Sequence, residues 1–489
     1  MSFGCLHEKD AFLEFTKQAQ ANKKIMGKID ILLIRPYSEI PIQTPPLGLG
    51  YLAATLKEDK LSVEIKDCLL DRISIEEIVS FLGENRIKIA GISCCTDELL
   101  WVKKLIDNIK SVLDCKIIVG GPHPSCVLEE IFVDLNKVDF SIYSEGETSI
   151  SLLVRAILEG DLSPQRLSVI PNLIWKNGTK VIKNESKLIN SLDSINFPSW
   201  DLINPKRYSK KIPHGFLYKA SPFAPMIATR GCPYSCNFCS TAKIHGHKVR
   251  MRSHENIISE IRYLTENFGV KEVFFEDDNL AFDGKYIKEL CEKIISSKLG
   301  VFFSLPNGIR LENVDDEAFI LMRKANFYSF AVGIESGSQK TLQRMGKNTD
   351  LDKLEKKICL GKKHGFYITG FFILGYPGET LEDIELTIKY ACKINIDKAA
   401  FSKYFPLPGT QSYKNLASKG EIKCRQYFEG LSIKDIPYSP QGISRDQLRN
   451  CLKNAVLSFY FRPSVILRNI SKVRFNQILP LCNIFKRFS

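Results

Sequence analysis

The chain has 489 residues, more than one ordinary core holds, and its length predicts two or three domains. Hydrophobic content of 44% and charged content of 25% predict a globular protein, and no apolar run approaches the ~18 residues of a membrane span. The net charge is +13, and 15 cysteines are spread thinly behind a polar start, MSFGCLHEKD, which predicts neither a disulfide scaffold nor a secretory leader but a reducing cytoplasm.

After an N-terminal extension (residues 1–28), apolar runs recur at Ile29–Ile34, Leu61–Asp67, Ile87–Ser93, Cys115–Gly121 and Val138–Ser144. Amphipathic patterns such as LGLGYLAATLKE, ELLWVKKLIDNIKSVL and SISLLVRAILEG lie between them. Near-continuous apolar strands alternating with helices predict a parallel sheet covered on both faces. Residues 29–160 are therefore expected to form a doubly wound, Rossmann- or flavodoxin-like domain. Its ligand belongs outside the carboxyl ends of the strands. Those ends carry Ser93, Cys94, Cys95 and Thr96, then Gly120, Gly121 and His123, then Glu145, Gly146 and Glu147. Glycine lets a ligand approach the backbone, although glycines after strands also simply make turns.

Residues 161–221 read as a connector. Asn177-Gly178 between β-prone runs predicts a hairpin, and LDSINFPSWDLINP predicts a linker packed on the surface between domains. A second series, residues 222–420, opens at FAPMIATRG and continues through VKEVFFEDD, GVFFSLPNG, FYSFAVGIES, GFYITGFFILG and DKAAFSKYFPLPGT. Six strands with intervening helices predict a partial (β/α)6 barrel of TIM type, with its chemistry at the carboxyl ends. Residues 421–489 read as a helical, basic segment. From Phe461 onward it has no acidic residue and carries Arg462, Arg468, Lys472, Arg474, Lys486 and Arg487 among apolar residues. That pattern fits a solvated helical cap, contact with anionic lipid, or, least well, nucleic acid.

TRGCPYSCNFCS follows the first strand of the second series. Cys232, Cys236 and Cys239, spaced C-x3-C-x2-C, put three soft thiolates on one loop, which points to zinc or an iron–sulfur cluster. Zinc wants a fourth ligand, which His245 or His247 could supply. A cluster with three protein ligands leaves one iron open to hold a substrate.

At this loop the chain resembles the radical S-adenosylmethionine superfamily. The resemblance implies a 4Fe-4S cluster on Cys232, Cys236 and Cys239 whose open iron chelates the methionine moiety, and whose electron yields a 5′-deoxyadenosyl radical. It implies S-adenosylmethionine contacts at Phe238, at Asp277 and Asp278 of FFEDDN, at Arg310 of LPNGIR, at Glu335 of GIESG, and at Ile373 and Gly375 of FFILGYPGE. FFEDDN departs from the Gly-Gly-Glu usual in that position. The first domain resembles the cobalamin-binding domain of the B12-dependent radical enzymes, through PPLGLGYLAATL, GGPHPS and SEGET. That likeness implies cobalamin contacts at Leu47, Ser93, Cys94, Thr96, Gly120, Gly121, His123, Glu145, Gly146 and Glu147. The D-x-H-x-x-G histidine is missing from Asp67-Cys68-Leu69-Leu70-Asp71, so the implied cobalamin is base-off with no histidine ligand, unless the domain has kept its fold and lost the cofactor.

Together these features lead to the expectation of a B12-dependent radical enzyme that methylates an unactivated carbon. The alternatives are oxidative ring closure of the anaerobic magnesium-protoporphyrin ester cyclase kind and a non-catalytic cobalamin or iron–sulfur sensor. Expected partners are a small-molecule or lipid substrate and a one-electron reductant such as flavodoxin or ferredoxin. The expected location is cytoplasmic, with peripheral membrane contact through the basic C-terminus as the variant.

Overall fold

In the computed structural model the described residues are 28–39, 42–214, 217–422 and 435–470. Among them no helix is long and apolar enough to cross a membrane. Lys472, Arg474, Lys486 and Arg487 of the basic C-terminal stretch, and the side chain of Arg468, lie outside the described residues.

The first sheet is built from β1 (Ile31–Arg35), β2 (Val63–Asp67), β3 (Ile89–Ser93), β4 (Lys116–Gly120) and β5 (Phe140–Ile142). They run parallel in the order β2-β1-β3-β4-β5, the flavodoxin-like winding expected from the apolar runs. The hairpin expected at Asn177-Gly178 is present, as β6 (Leu173–Asn177) and β7 (Lys180–Lys183), and it extends this sheet. β6 pairs antiparallel with β5, matching Phe140 to Trp175, because Leu173, Ile174 and Trp175 are apolar enough to be buried there.

The second sheet contains β8 (Phe223–Met226), β11 (Glu272–Phe275), β12 (Phe302–Ile309), β13 (Phe327–Glu335), β14 (Tyr367–Leu374) and β15 (Lys398–Lys403). All six are parallel, in the order β15-β14-β13-β12-β11-β8, and the described strands do not close into a barrel. A two-residue antiparallel pair, β9 (Thr229–Arg230) with β10 (Arg250–Met251), brackets the cysteine loop. Outward side chains pack on the helices: Phe275 stacks with Phe303 and Phe327, and Phe372 with Phe401. Helix Arg445–Tyr460, capped by Ser444 and Gln447, covers β15 through Phe459 and a bond from Tyr460 Oη to the Ala399 carbonyl.

The linker is a buried strap. Trp200 is 1% exposed and donates from Nε1 to Glu260 Oε1 at 3.0 Å on helix His254–Phe268. Ile203 presses on Gly50 of helix Leu47–Glu58, where a Cβ would lie 2.6 Å from Ile203 Cδ1. Tyr208 donates to Asp67 Oδ2 at 2.7 Å. Large apolar side chains are too costly to leave wet, so the Pro- and Trp-bearing segment sinks into the seam. One continuous apolar core consequently includes residues of both sheets and the strap.

Candidate active site

The carboxyl ends of β1, β3, β4 and β5 open on a crevice of about 950 Å³. Ser93, Gly120, Gly121, Glu145, Gly146 and Glu147 line it, together with Gly48, Leu49, Leu52 and Gly91. Close approach is built in at Gly121, whose φ is +103° and whose Cβ would lie 3.2 Å from the Cys94 backbone. Four expected contacts do not line the crevice: Leu47, Cys94, Thr96 and His123. Leu47 points into the core while its helical neighbours face the crevice. Cys94 turns under the sheet edge, with its N donating to Gly120 O at 2.8 Å and its side chain fully buried. The His123 ring is also fully buried, between Thr96 Oγ1 at 3.1 Å and Asp134 Oδ2 at 3.3 Å. Asp67 caps the short helix Cys68–Asp71, which likewise stays out of the crevice.

The far wall of this crevice comes from the second series: Ile227, Arg230 and His245. Arg230 reaches Glu147 at 2.6 Å and Glu145 at 3.4 Å, and its guanidinium lies 5.2 Å from the Tyr51 ring centroid. Arg250 reaches the other Glu145 oxygen at 2.8 Å, and His245 Nδ1 lies 3.6 Å from Glu145. Burial pushes the Glu145 pKa up, but the His245 and Arg250 contacts, the Arg230 charge and the Ile189 N–H outweigh it and hold the carboxyl well below the usual range. Glu145 and Glu147 therefore fasten the first sheet to the hairpin around the cysteines, a role their strand-end position did not reveal.

The second crevice, about 1450 Å³, opens at the carboxyl ends of β11–β14. Cys232, Cys236, Phe238 and Cys239 line it with Asp278, Arg310 and Glu335. Two consecutive aspartates set the loop. Asp277 accepts from Ala228 N at 3.1 Å and from Thr229 N and Oγ1 at 2.5 and 2.7 Å. Asp278 accepts from Gly231 N at 3.2 Å and Thr241 Oγ1 at 3.3 Å, either side of the cysteines. Burial drives the Asp277 carboxyl up to about 7 despite those bonds. Asp277 does not line the crevice, so of the two expected carboxylates only Asp278 faces it.

Asn237 pins the loop's centre, donating from N to Met345 O at 2.8 Å and from Nδ2 to Arg344 O at 2.9 Å. Arg310 Nη2 lies 3.3 Å from Cys236 Sγ, and its guanidinium stacks 3.7 Å from the Tyr234 ring centroid. Burial raises the thiols of Cys232 and Cys239, the opposing Tyr234 and Thr241 bonds being weaker. Glu335 holds φ +68° at the end of β13, with Oε1 2.9 Å from Lys347 Nζ. Ile373 and Gly375 do not line the crevice. Ile373 packs with Phe238 against the Tyr376–Tyr404 cluster, and Gly375 faces helix Arg445–Tyr460, where a Cβ would lie 2.5 Å from Leu448. Phe371, one rung inward on β14, takes that place. Tyr234, Asn237, Lys347 and Lys414 also line the crevice and were not expected. The RMGK run that begins nine residues after Glu335 was the available signal for Lys347.

The residues suit the expected groups. Three thiols on one open wall are ligands for an iron–sulfur cluster, with a guanidinium beside them that can donate hydrogen bonds, and glycines beyond β4 and β5 give a flat ligand backbone contact. His245, one of the two histidines available to zinc, lines the first crevice and not the one the cysteines line. Among the described residues no three His, Cys, Asp or Glu side chains are grouped closely enough to hold a single metal ion.

Comparison with known proteins points the same way. The B12 binding domain family matches residues 38–154, and the Radical SAM superfamily matches residues 226–391, cysteine loop included. The chain is 29% identical to an uncharacterized methyltransferase of Pyrococcus horikoshii, over 91% of this chain and 95% of that one. It is 26% identical to the cytidylyl-2-hydroxyethylphosphonate methyltransferase of Streptomyces wedmorensis, over 83% and 84%. It is also 26% identical to the anaerobic magnesium-protoporphyrin IX monomethyl ester cyclase of Rubrivivax gelatinosus, over 88% and 76%. The fold matches that of the radical S-adenosylmethionine methyltransferase TsrM of Kitasatospora setae, solved with cobalamin and a 4Fe-4S cluster, with a TM-score of 0.67 and 16% identity over 81% of this chain and 78% of that one. It also matches the cobalamin-dependent enzyme OxsB, with a TM-score of 0.63 and 20% identity over 80% and 55%. The first match spans β2 to β5 and the second spans the cysteine loop and β11 to β14, and the chain thus belongs to the radical S-adenosylmethionine enzymes that carry a B12-binding domain.

Proposed function

We propose that this enzyme methylates an unactivated carbon of a small molecule. One observation carries the reading: the two crevices share a wall. Arg230 and His245 line the first, and Cys232, Lys243 and His247 line the second, so a single loop separates them. When bound, the cluster supplies the electron that splits S-adenosylmethionine, and cobalamin supplies the methyl group. In this reading Cys232, Cys236 and Cys239 hold the cluster. Asp278, Arg310, Glu335 and Phe238 hold and orient S-adenosylmethionine. Ser93, Gly120, Gly121 and Gly146 seat the cobalamin. A one-electron reductant and the substrate complete the set of partners.

Anaerobic reconstitution with cobalamin, S-adenosylmethionine and dithionite tests this. The expected results are 5′-deoxyadenosine and a product heavier by one methyl group. A product that has lost hydrogens or gained oxygen would instead support ring-closing chemistry, which the similarity to the Rubrivivax cyclase favours. No 5′-deoxyadenosine would remove both readings.

The basic, apolar C-terminal stretch supports a further reading, peripheral contact with anionic lipid. Alanine at Arg468, Lys472 and Arg474 then weakens binding to anionic liposomes, and unchanged binding would remove it.

A further inference from the structure

The cysteine loop is surrounded by chain that carries no acid. Residues 202–254, which hold the loop, contain no Asp or Glu, and neither do residues 336–349 or 398–420. The fold joins these three stretches at Asn237, between Cys236 and Cys239. Asn237 donates from N to Met345 O at 2.8 Å and from Nδ2 to Arg344 O at 2.9 Å. Its carbonyl accepts from Ser412 N and Ser412 Oγ, both at 2.9 Å, which lays helix Gln411–Ser418 against the loop. Asn237 also stands between two cavities. It lines the second crevice, and it lines a third cavity of about 1050 Å³ together with Arg344, Tyr376, Glu379 and Lys419. The Tyr376 ring meets the Phe238 ring edge-on, with centroids 6.5 Å apart.

Three lysines border these cavities. Lys243 and Lys414 line the second crevice, and Lys419 lines the third cavity. All three are exposed, and among the described residues none of them makes an ion pair. The acids that line the same cavities are committed inward. Glu335 meets Lys347, and Asp278 accepts from Gly231 N. Glu379 accepts from the N–H groups of Gly375 and Tyr376, and Glu421 from Tyr438 Oη. The outward charge around the loop is therefore positive. A small anion in the second crevice reaches Lys243 and Lys414 but not Lys419, because Asn237 and helix Gln411–Ser418 lie between the cavities. A partner that meets all three lysines must be broad as well as negative. The loop at their centre holds the cluster cysteines, which gives a redox protein, rather than a lipid surface, a reason to sit there.

We infer that Lys243, Lys414 and Lys419 form the docking face for the one-electron reductant, and that this reductant is a small protein with acidic residues around its redox centre. This rests on the reading of Cys232, Cys236 and Cys239 as the cluster ligands. On docking, one electron leaves the carrier and one enters the cluster, with no bond made or broken and no proton moved. Opposite charges across such a contact raise the encounter rate by about 10- to 1000-fold and make it depend on salt.

The test uses the full-length enzyme with its cluster reconstituted anaerobically, and follows cluster reduction by stopped-flow absorbance. The carriers are a reduced flavodoxin and a reduced 2Fe-2S ferredoxin, both of net negative charge. The small reductants are dithionite, an anion, and the methyl viologen radical, a cation. The Lys414→Glu/Lys419→Glu variant should be reduced by at least one carrier about tenfold more slowly than the wild type, or slower still. Lys414→Arg/Lys419→Arg should keep nearly the wild-type rate. Raising salt from about 0.1 to about 1 M shrinks the screening length from ~10 to ~3 Å and should erase the difference. Lys419→Glu alone should slow the carrier while both small reductants stay within about twofold of their wild-type rates. The inference is overturned if neither carrier reduces the wild type, or if the double charge reversal leaves the carrier rates unchanged. It is also overturned if dithionite slows and methyl viologen accelerates by as much as the carrier slows, which would mark a local field without docking. Vesicles of phosphatidylcholine with phosphatidylserine are titrated in parallel. If the double variant loses vesicle binding and keeps its carrier rates, the face belongs to a lipid surface and the inference fails. Formation of 5′-deoxyadenosine with dithionite separates the two readings. Its absence from the wild type despite a reduced cluster would sink the radical reading and leave the carrier rates to judge the docking face. Its presence alongside unchanged carrier rates in the double variant would sink only the docking face.

Discussion

The contact between Glu145 and Arg250 is the most quantitative handle on how the halves are joined. Both side chains are buried, at 0% and 3% exposure, and 2.8 Å apart. Glu145 also accepts from Ile189 N at 2.7 Å, so replacing it with Gln keeps its shape but strips a charge that Arg250 and Arg230 both use. Breaking a buried ion pair by removing one partner costs roughly 3–5 kcal/mol, because the survivor is left uncompensated. Glu145→Gln and Arg250→Met should each fall in that range, and the double variant should cost clearly less than their sum. The assay is urea unfolding of the three variants and the wild type, followed by tryptophan fluorescence and circular dichroism together. A coupling energy below about 0.5 kcal/mol, the ordinary additivity error, would refute the reasoning. The pH dependence has a definite sign. The folded carboxyl lies below its ordinary value of 4.5, so its stabilisation is complete above that pH and lost as pH falls through the folded value. The Gln variant should lack that acid-side loss.

Asp277→Ala leaves the Ala228 and Thr229 N–H groups unpaired, at about 1–3 kcal/mol each. Iron bound per chain after reconstitution should fall with it, because these residues lead directly into Cys232. Asp277→Asn checks the titration. The folded group at about 7 holds its proton more tightly than the unfolded one, so this acid's contribution to stability declines between its ordinary 3.8 and 7, and Asn should abolish that slope in urea midpoints against pH. Arg310→Gln removes a cation 3.3 Å from Cys236 Sγ. The cluster potential, followed by electron paramagnetic resonance during redox titration, should move negative by on the order of 59 mV, one decade for a one-electron couple.

Much of this arrangement was legible because it is local. The cysteine spacing lies within eight residues, and the strands announce themselves as apolar runs. The strand-end residues were harder, since which of two neighbours faces the crevice depends on how the turn leaves the sheet. Ser93 lines the crevice and Cys94 is tucked beneath it; Asp278 lines the mouth and Asp277 clamps the strand behind it. A one-residue step decides between ligand contact and scaffold, and periodicity carries no such phase past the end of a strand. Arg230 was hidden for another reason. It adjoins the cysteine motif, but its partners Glu145 and Glu147 are more than eighty residues away in the chain. The Trp200 strap read as a linker because its prolines mask how much apolar surface it buries.

The strap also decides how modular this protein is. Trp200, Ile203 and Tyr208 are each almost wholly covered, by side chains drawn from both sheets. Cutting the chain at residue 160 or at residue 221 would strip a lid of aromatic and aliphatic groups from one half and leave the other carrying it bare. Each half expressed alone should therefore be prone to aggregation, and a chimera that exchanges first sheets between relatives must take residues 184–221 along with whichever surface they were shaped to cover.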